Sequence, residues 1–176
     1  MAARVNFVGE LGWELHHPIE YQNHIFDALM SAGVEFGLKP FGIRAMDAMR
    51  LEKSYRMVGT EMSIEYAALE SGLDRFVQLQ KPDFIGRSGL LAWQQKGFAN
   101  SFVTLEVKET TDRDVIGGNP IFKEGKLIGR ATSGGYGFRI GKSLALAMVA
   151  PECKDIGTLL EIDILGDRFA AEIVKE

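Results

Sequence analysis

Leu160-Glu161-Ile162-Asp163-Ile164-Leu165-Gly166-Asp167-Arg168-Phe169-Ala170-Ala171-Glu172-Ile173 carries apolar residues at alternate positions on either side of a glycine-containing step. A period of two belongs to a strand with one buried face, and Gly166-Asp167 between two such runs signals a β-hairpin. Working outward, Ile121-Phe122 and Leu127-Ile128 flank Lys123-Glu124-Gly125-Lys126, a second hairpin signal. Val103, Leu105 and Val107 alternate in the same way, and Leu144 to Val149 supplies another strand. Short strands with turn signals at this spacing predict a small antiparallel barrel or sandwich.

Before residue 97 the texture differs. Pro18 opens a helical stripe of Tyr21, Ile25, Ala28, Leu29 and Ala32 that Gly33 ends, and Ile43, Met46, Met49 and Arg50 start a second helix. A third helix carries Leu90, Leu91 and Trp93 and stops at Gly97. Between them the sequence predicts a short helix at 66–70 and a strand at 75–80. The fold class is therefore α+β, with an α+β domain over 1–97 and an all-β domain over 98–176.

The 176 residues are 46% hydrophobic and 25% charged, with a formal net charge of -4. That is ordinary globular composition, and no block of like charge supports a nucleic-acid partner. Cys153 is the single cysteine, which excludes a disulfide framework and a cysteine-based metal site. His16 and His17 are adjacent and would point opposite ways on a strand, and His24 has no ligand spacing, so no metal is expected. No apolar run reaches the roughly 18 residues of a membrane span. The reading is a soluble protein of the cytoplasm or an organelle matrix.

Two stretches carry candidate binding chemistry. In Phe7-Val8-Gly9-Glu10-Leu11-Gly12-Trp13-Glu14-Leu15 a single strand would put Glu10 and Glu14 on its solvent face. Functionally, Gly9 and Gly12 would let backbone approach a ligand, and Glu14 would accept two parallel N–H bonds from a guanidine-like edge. Pterins and guanines present that edge. On the second helix, Arg44 and Arg50 flank Asp47 at i−3 and i+3; such pairs brace a helix, or leave one arginine to meet an anionic ligand tail. Gly134-Gly135-Tyr136-Gly137-Phe138-Arg139-Ile140-Gly141-Lys142-Ser143 ends like a phosphate loop, but Tyr136 holds the position of the required first glycine and no long helix follows. It reads as a glycine-rich connection among strands.

Five segments in order resemble the glycine-cleavage T-protein (aminomethyltransferase) superfamily. They are Gly9-Glu10-Leu11-Gly12-Trp13-Glu14, Gly42 to Lys53, Leu69-Glu70-Ser71-Gly72-Leu73, Lys81 to Arg87, and Gly129-Arg130-Ala131-Thr132-Ser133-Gly134-Gly135. The second, running into Ser54-Tyr55-Arg56-Met57, looks most like the folate-binding C-terminal region of dimethylglycine and sarcosine dehydrogenases. Lys81-Pro82-Asp83-Phe84 lacks the cysteine of the iron-sulfur-assembly branch, which argues against that branch.

The resemblance implies the end of a central, ferredoxin-like α+β domain followed by a C-terminal β-barrel. It implies tetrahydrofolate as cofactor, with FAD confined to an upstream domain, and an N-methylated amine or aminomethyl donor as the other partner in the intact enzyme. The family's catalytic aspartate lies upstream of Gly9, so no catalytic residue is assigned here, and the chain is expected to begin after the catalytic half and to be inactive alone. Cofactor-binding residues are Glu14, matching the glutamate that grips the pterin edge, together with Arg44 and Arg75. Phe7 stands where the dehydrogenases carry a tyrosine, Met46 where simple T-proteins carry an arginine, and Arg75 where they carry a tryptophan. Arg44 is two positions from Met46, about 200° around a helix. The alternative is a non-catalytic module that shapes partner binding or substrate access in its parent enzyme.

Overall fold

In the computed structural model, residues 1–110 and 112–176 are described. The dominant unit is a closed antiparallel barrel of β3 (Ser101–Val107), β4 (Pro120–Lys123), β5 (Lys126–Gly137), β6 (Lys142–Val149), β7 (Leu159–Ile164) and β8 (Asp167–Val174), ordered β3-β6-β5-β4-β7-β8. Closure through the β3–β8 ladder leaves no open edge. Alternate residues point inward as the period of two requires. Leu105, Ile121, Ala147, Ile162 and Ile173 meet in one core, with Val115 from the β3–β4 connection as a plug.

Two tight hairpins set the register. Lys123 pairs with Lys126 across Glu124 (φ 51°) and Gly125 (φ 75°), and Ile164 pairs with Asp167 across Leu165 (φ 57°) and Gly166 (φ 92°). Two central residues at positive φ match the twist of the flanking strands. The second turn is thus Leu165-Gly166, one residue earlier than the glycine-first reading predicts.

The residues before the barrel meet it chiefly through their second helix. They comprise β1 (Ala2–Ala3), β2 (Glu14–Leu15), α1 (Gln22–Gly33), α2 (Ile43–Leu51) and α3 (Arg87–Lys96). The three helices fall where periodicity puts them, and Gly97, at φ 88°, ends α3. α2 packs on β5 through Leu51, which joins Phe102, Leu144, Leu146 and Met148 in a second apolar cluster outside the barrel.

Three local expectations are corrected. Residues 66–70 form turns rather than a helix: the buried Glu70 carboxylate folds back on Ala67 N at 2.9 Å and takes Asn100 N at 3.0 Å, tying the segment to the chain that leads into β3 in place of a continuing helical ladder. Residues 75–80 are not a strand; Asp74–Phe76 is a 3-10 turn followed by irregular chain. Gly9 to Leu15 is not one strand either. Asn6 Oδ1 accepts Gly9 N at 2.7 Å, Gly9 sits at φ 74°, and only Glu14–Leu15 pairs, with Ala2–Ala3.

Candidate functional site

The site is organised by α2. Periodicity puts Arg50 on the stripe of Ile43, Met46 and Met49; only the C-terminal end of that stripe is interior, for Ile43 is 76% exposed while Arg50 is fully buried. A buried guanidinium must be neutralised and hydrogen-bonded. Its Nε donates to Asp47 Oδ1 at 2.5 Å and its Nη1 to Tyr55 O at 3.0 Å, with Glu61 Oε2 at 3.4 Å. Nη2 is buried and has no hydrogen-bond partner among the described residues.

Glu61 is also fully buried and is the hub of the arrangement. Oε2 accepts from Met57 N at 2.9 Å and from Thr60 Oγ1 at 2.6 Å; Oε1 accepts from Thr132 Oγ1 at 2.6 Å and from Ser133 Oγ. Adjacent strand residues normally face opposite ways, but the β5–β6 register shifts between Ala131 and Ser133, and this bulge lets both hydroxyls reach one oxygen. Burial alone would raise the Glu61 pKa. Hydrogen bonds from Ser133, Thr132, Thr60 and the Met57 amide outweigh it and hold the carboxyl below the ordinary carboxylate value.

Two cavities lie against neighbours of this network, one beside Asp47 and the other beside Tyr55. The first, about 720 Å³, lies between α2, residues 8–10 and the β5–β6 hairpin, with Arg44, Ala48, Glu52, Val115, Tyr136 and Arg139 in its wall. Apolar walls with a few charged groups are the usual make-up of a small-molecule site. Its charges are partly committed: Arg139 pairs with Glu10 at 2.7 Å, and Glu52 accepts the Arg139 amide at 2.8 Å. The second, about 460 Å³, is lined by Phe7, Lys53, Tyr55, Arg56, Arg75 and Glu176, among others. Lys53 borders both.

The residues expected to bind cofactor are spread over this surface. Arg44 lines the first cavity and Arg75 the second, where its guanidinium carbon lies 4.6 Å from the Phe76 ring centre. Glu14 lines neither; it is exposed on β2, with His16 Nε2 at 3.3 Å. The two glycines near it serve the chain itself: a Cβ on Gly9 would fall 2.6 Å from Lys53 Cγ, and one on Gly12 2.8 Å from Asn6 Cβ. Gly134 to Ser143 lies in the β5–β6 hairpin, as a connection among strands. Among the described residues no group of three or more His, Cys, Asp or Glu side chains is placed to hold a metal ion. Among the described residues no helix is long and apolar enough to cross a membrane. Sequence reasoning missed Glu61 altogether, though Arg50 on the buried stripe signalled that an acid must face it.

A closed six-stranded barrel with a helix, α2, packed on β5 and its buried arginine linked to that strand through Glu61 is the architecture of a T-protein type of module. The chain belongs to the glycine-cleavage T-protein superfamily: the family model of the GCVT N-terminal domain matches residues 1–81 and that of the glycine cleavage T-protein C-terminal barrel domain matches residues 100–176. It is 43% identical to mitochondrial dimethylglycine dehydrogenase of Homo sapiens, over 99% of this chain and 20% of that protein. It is 34% identical to the aminomethyltransferase of Desulfitobacterium hafniense (strain DSM 10664 / DCB-2), over 99% of this chain and 47% of that protein. The crystal structure of glycine cleavage system aminomethyltransferase T from Bartonella henselae superposes with a TM-score of 0.87 at 25% identity, covering 99% of this chain and 48% of the other. The chain thus spans about half the length of these aminomethyltransferases and a fifth of the dehydrogenase.

Proposed function

We propose that the chain is a tetrahydrofolate-binding one-carbon (aminomethyl) transfer module, forming part of an aminomethyltransferase or of an N-methyl amine dehydrogenase of the dimethylglycine/sarcosine type. The observation that carries this reading is the ordered pair of family matches over residues 1–81 and 100–176, on a fold superposing at 0.87 with an aminomethyltransferase. In this reading the domain division falls at residue 97, and the parent enzyme works in the bacterial cytoplasm or the mitochondrial matrix.

The residues present suit such a cofactor. Glu14 is an exposed carboxylate able to accept two parallel N–H bonds from the pterin edge. Arg44 and Arg75 each stand at a cavity large enough for a ring system and offer positive charge to carboxylates. The buried Arg50 Nη2 leaves one unspent donor behind the Phe7 wall, its guanidinium carbon 5.9 Å from that ring centre.

When bound, tetrahydrofolate supplies the nitrogens that take up the one-carbon unit. The chain's own part is orientation and electrostatics. In this reading Glu14 would grip the pterin edge and one arginine, Arg44 at the first cavity or Arg75 at the second, would meet the anionic end, with the apolar cavity walls excluding water. No residue here is assigned a proton-transfer role, and an amine-oxidising FAD belongs to another domain. The test is calorimetric titration of the 176-residue chain with tetrahydrofolate, alongside an assay for folate-dependent methylene transfer. Binding without turnover is the expected outcome. Absence of binding would favour a non-catalytic module, and turnover by the chain alone would contradict its being part of a larger catalytic unit.

A further inference from the structure

Arg56 is built to receive a carboxylate. Its Nε donates to Ser71 O at 2.9 Å and its Nη1 to Ser54 O at 3.1 Å, while the guanidinium carbon lies 3.8 Å from the Phe102 ring centre. These contacts fix the planar group and leave its side chain only 11% exposed, so its outer N–H pair is oriented before any ligand arrives. That pair is filled from within the chain: Nη1 donates to Glu176 Oε2 at 2.8 Å and Nη2 to Glu176 Oε1 at 2.9 Å. Glu176 follows β8 outside the barrel ladder, and its side chain is 48% exposed. The guanidinium is fixed by its neighbours, while Glu176 is half-exposed, so solvent screens the pair it makes.

The surrounding cavity favours an anion. Among the described residues that line it, Glu176 is the single acid against Lys53, Arg56 and Arg75, and Phe7, Tyr55 and Phe76 add aromatic walls. Removing Glu176 from the fork leaves three cations around a slot suited to a flat ring. We propose that Arg56 is the binding site for a carboxylate of an aromatic dicarboxylate, and that the Glu176 side chain is its intramolecular competitor, displaced as the ligand enters. The aminobenzoylglutamate end of folate has this chemistry; taking it as the ligand rests on the folate reading above.

The experiment compares the full chain with its Glu176→Ala variant, titrating each with p-aminobenzoyl-L-glutamate and with p-aminobenzamide, which carries no carboxylate. Glu176 is on the surface, so the variant folds normally. Loss of the competitor should tighten p-aminobenzoyl-L-glutamate binding about two- to fivefold, the range of an exposed ion pair, and leave p-aminobenzamide unchanged. Adding Arg56→Lys, which keeps the charge but not the fork, should reverse the gain. Unchanged affinity in Glu176→Ala, equal tightening for both probes, or no binding of the dicarboxylate at millimolar concentration overturns the proposal. A tail-less tetrahydropterin that binds in a Glu14-dependent way would uphold the folate reading even then, so the two can fail separately.

Discussion

Arg50 and Glu61 form an ion pair in which both side chains are wholly buried, with Nη1 3.4 Å from Oε2. The distance is long for a strong bond, and each partner draws most of its compensation from elsewhere: Arg50 from Asp47 and Tyr55 O, Glu61 from three hydroxyls and an amide. The pair therefore acts as the meeting point of two hydrogen-bond networks, one on α2 and one on the bulged β5.

Breaking it from the acidic side should be costly. Glu61→Ala leaves the Arg50 charge buried with less compensation and strips Thr60, Thr132 and Ser133 of their acceptor, so a loss of about 3–5 kcal/mol is expected. Urea denaturation followed by circular dichroism measures it. A loss under about 1 kcal/mol would show that the network contributes little.

The same carboxyl predicts an acid-side weakness. Its folded pKa lies below its ordinary value, so the unfolded chain binds the proton more readily. The stabilisation is complete above the unfolded pKa of about 4.3 and is lost as pH falls through the lower folded value. Denaturation midpoints across the acid range should fall more steeply for the unaltered chain than for Glu61→Gln. Parallel curves would mean that Glu61 does not drive the acid transition.

Glu14→Gln tests the pterin contact. Replacing one acceptor oxygen by a donor removes a charge-assisted bond, and tetrahydrofolate binding should weaken by at least about 1.5 kcal/mol. Glu14 is exposed and needed by no core contact, so stability should not change. Equal affinity in calorimetry would remove Glu14 from the site.

Leu165 offers a gain in stability. It holds φ 57° at the first central position of the β7–β8 turn while 81% exposed, so it bears the left-handed strain without a packing return. Leu165→Asn should raise stability by up to about 1 kcal/mol, read as a higher thermal midpoint.

Gly129 offers the opposite. A Cβ there would sit 2.3 Å from Met148 O and 2.8 Å from Val149 Cα, where backbone must yield. Gly129→Ala should destabilise the barrel by about 1–3 kcal/mol, and a neutral result in the same melt would contradict the tight β5–β6 approach.

The strands were legible because a buried face writes itself into alternate positions; Leu160, Ile162, Ile164 and Ala171, Ile173 need no partner to be recognised. The turn between them falls one residue earlier than its glycine suggests, because Leu165 takes the first central place at positive φ and Gly166 the second. The sequence signals that an acid must face Arg50 but not which one: the Glu61 hydroxyl partner Thr132 is 71 positions away, and the bulge that aims it has no local signature. Residues 66–70 read as a helix because their periodicity carries no trace of the tie from the Glu70 carboxylate to Asn100 N, 30 positions away. The folate-contact expectation for Glu14, Arg44 and Arg75 came from motif likeness, which carries residue identity but not the spacing between cavities.

Closure of the barrel has a kinetic consequence. Thr104 pairs with Val174, so the first strand of the barrel finds its last neighbour only after every other strand has been synthesised. Pairings of such long sequence separation form late and slowly. While the nascent chain waits, the β8-facing edge of β3 at residues 104–107 is an open template carrying Leu105 and Val107, the kind of exposed strand that recruits a neighbouring polypeptide. Soluble yield should therefore depend on translation rate and chaperone supply more than on the stability of the finished barrel.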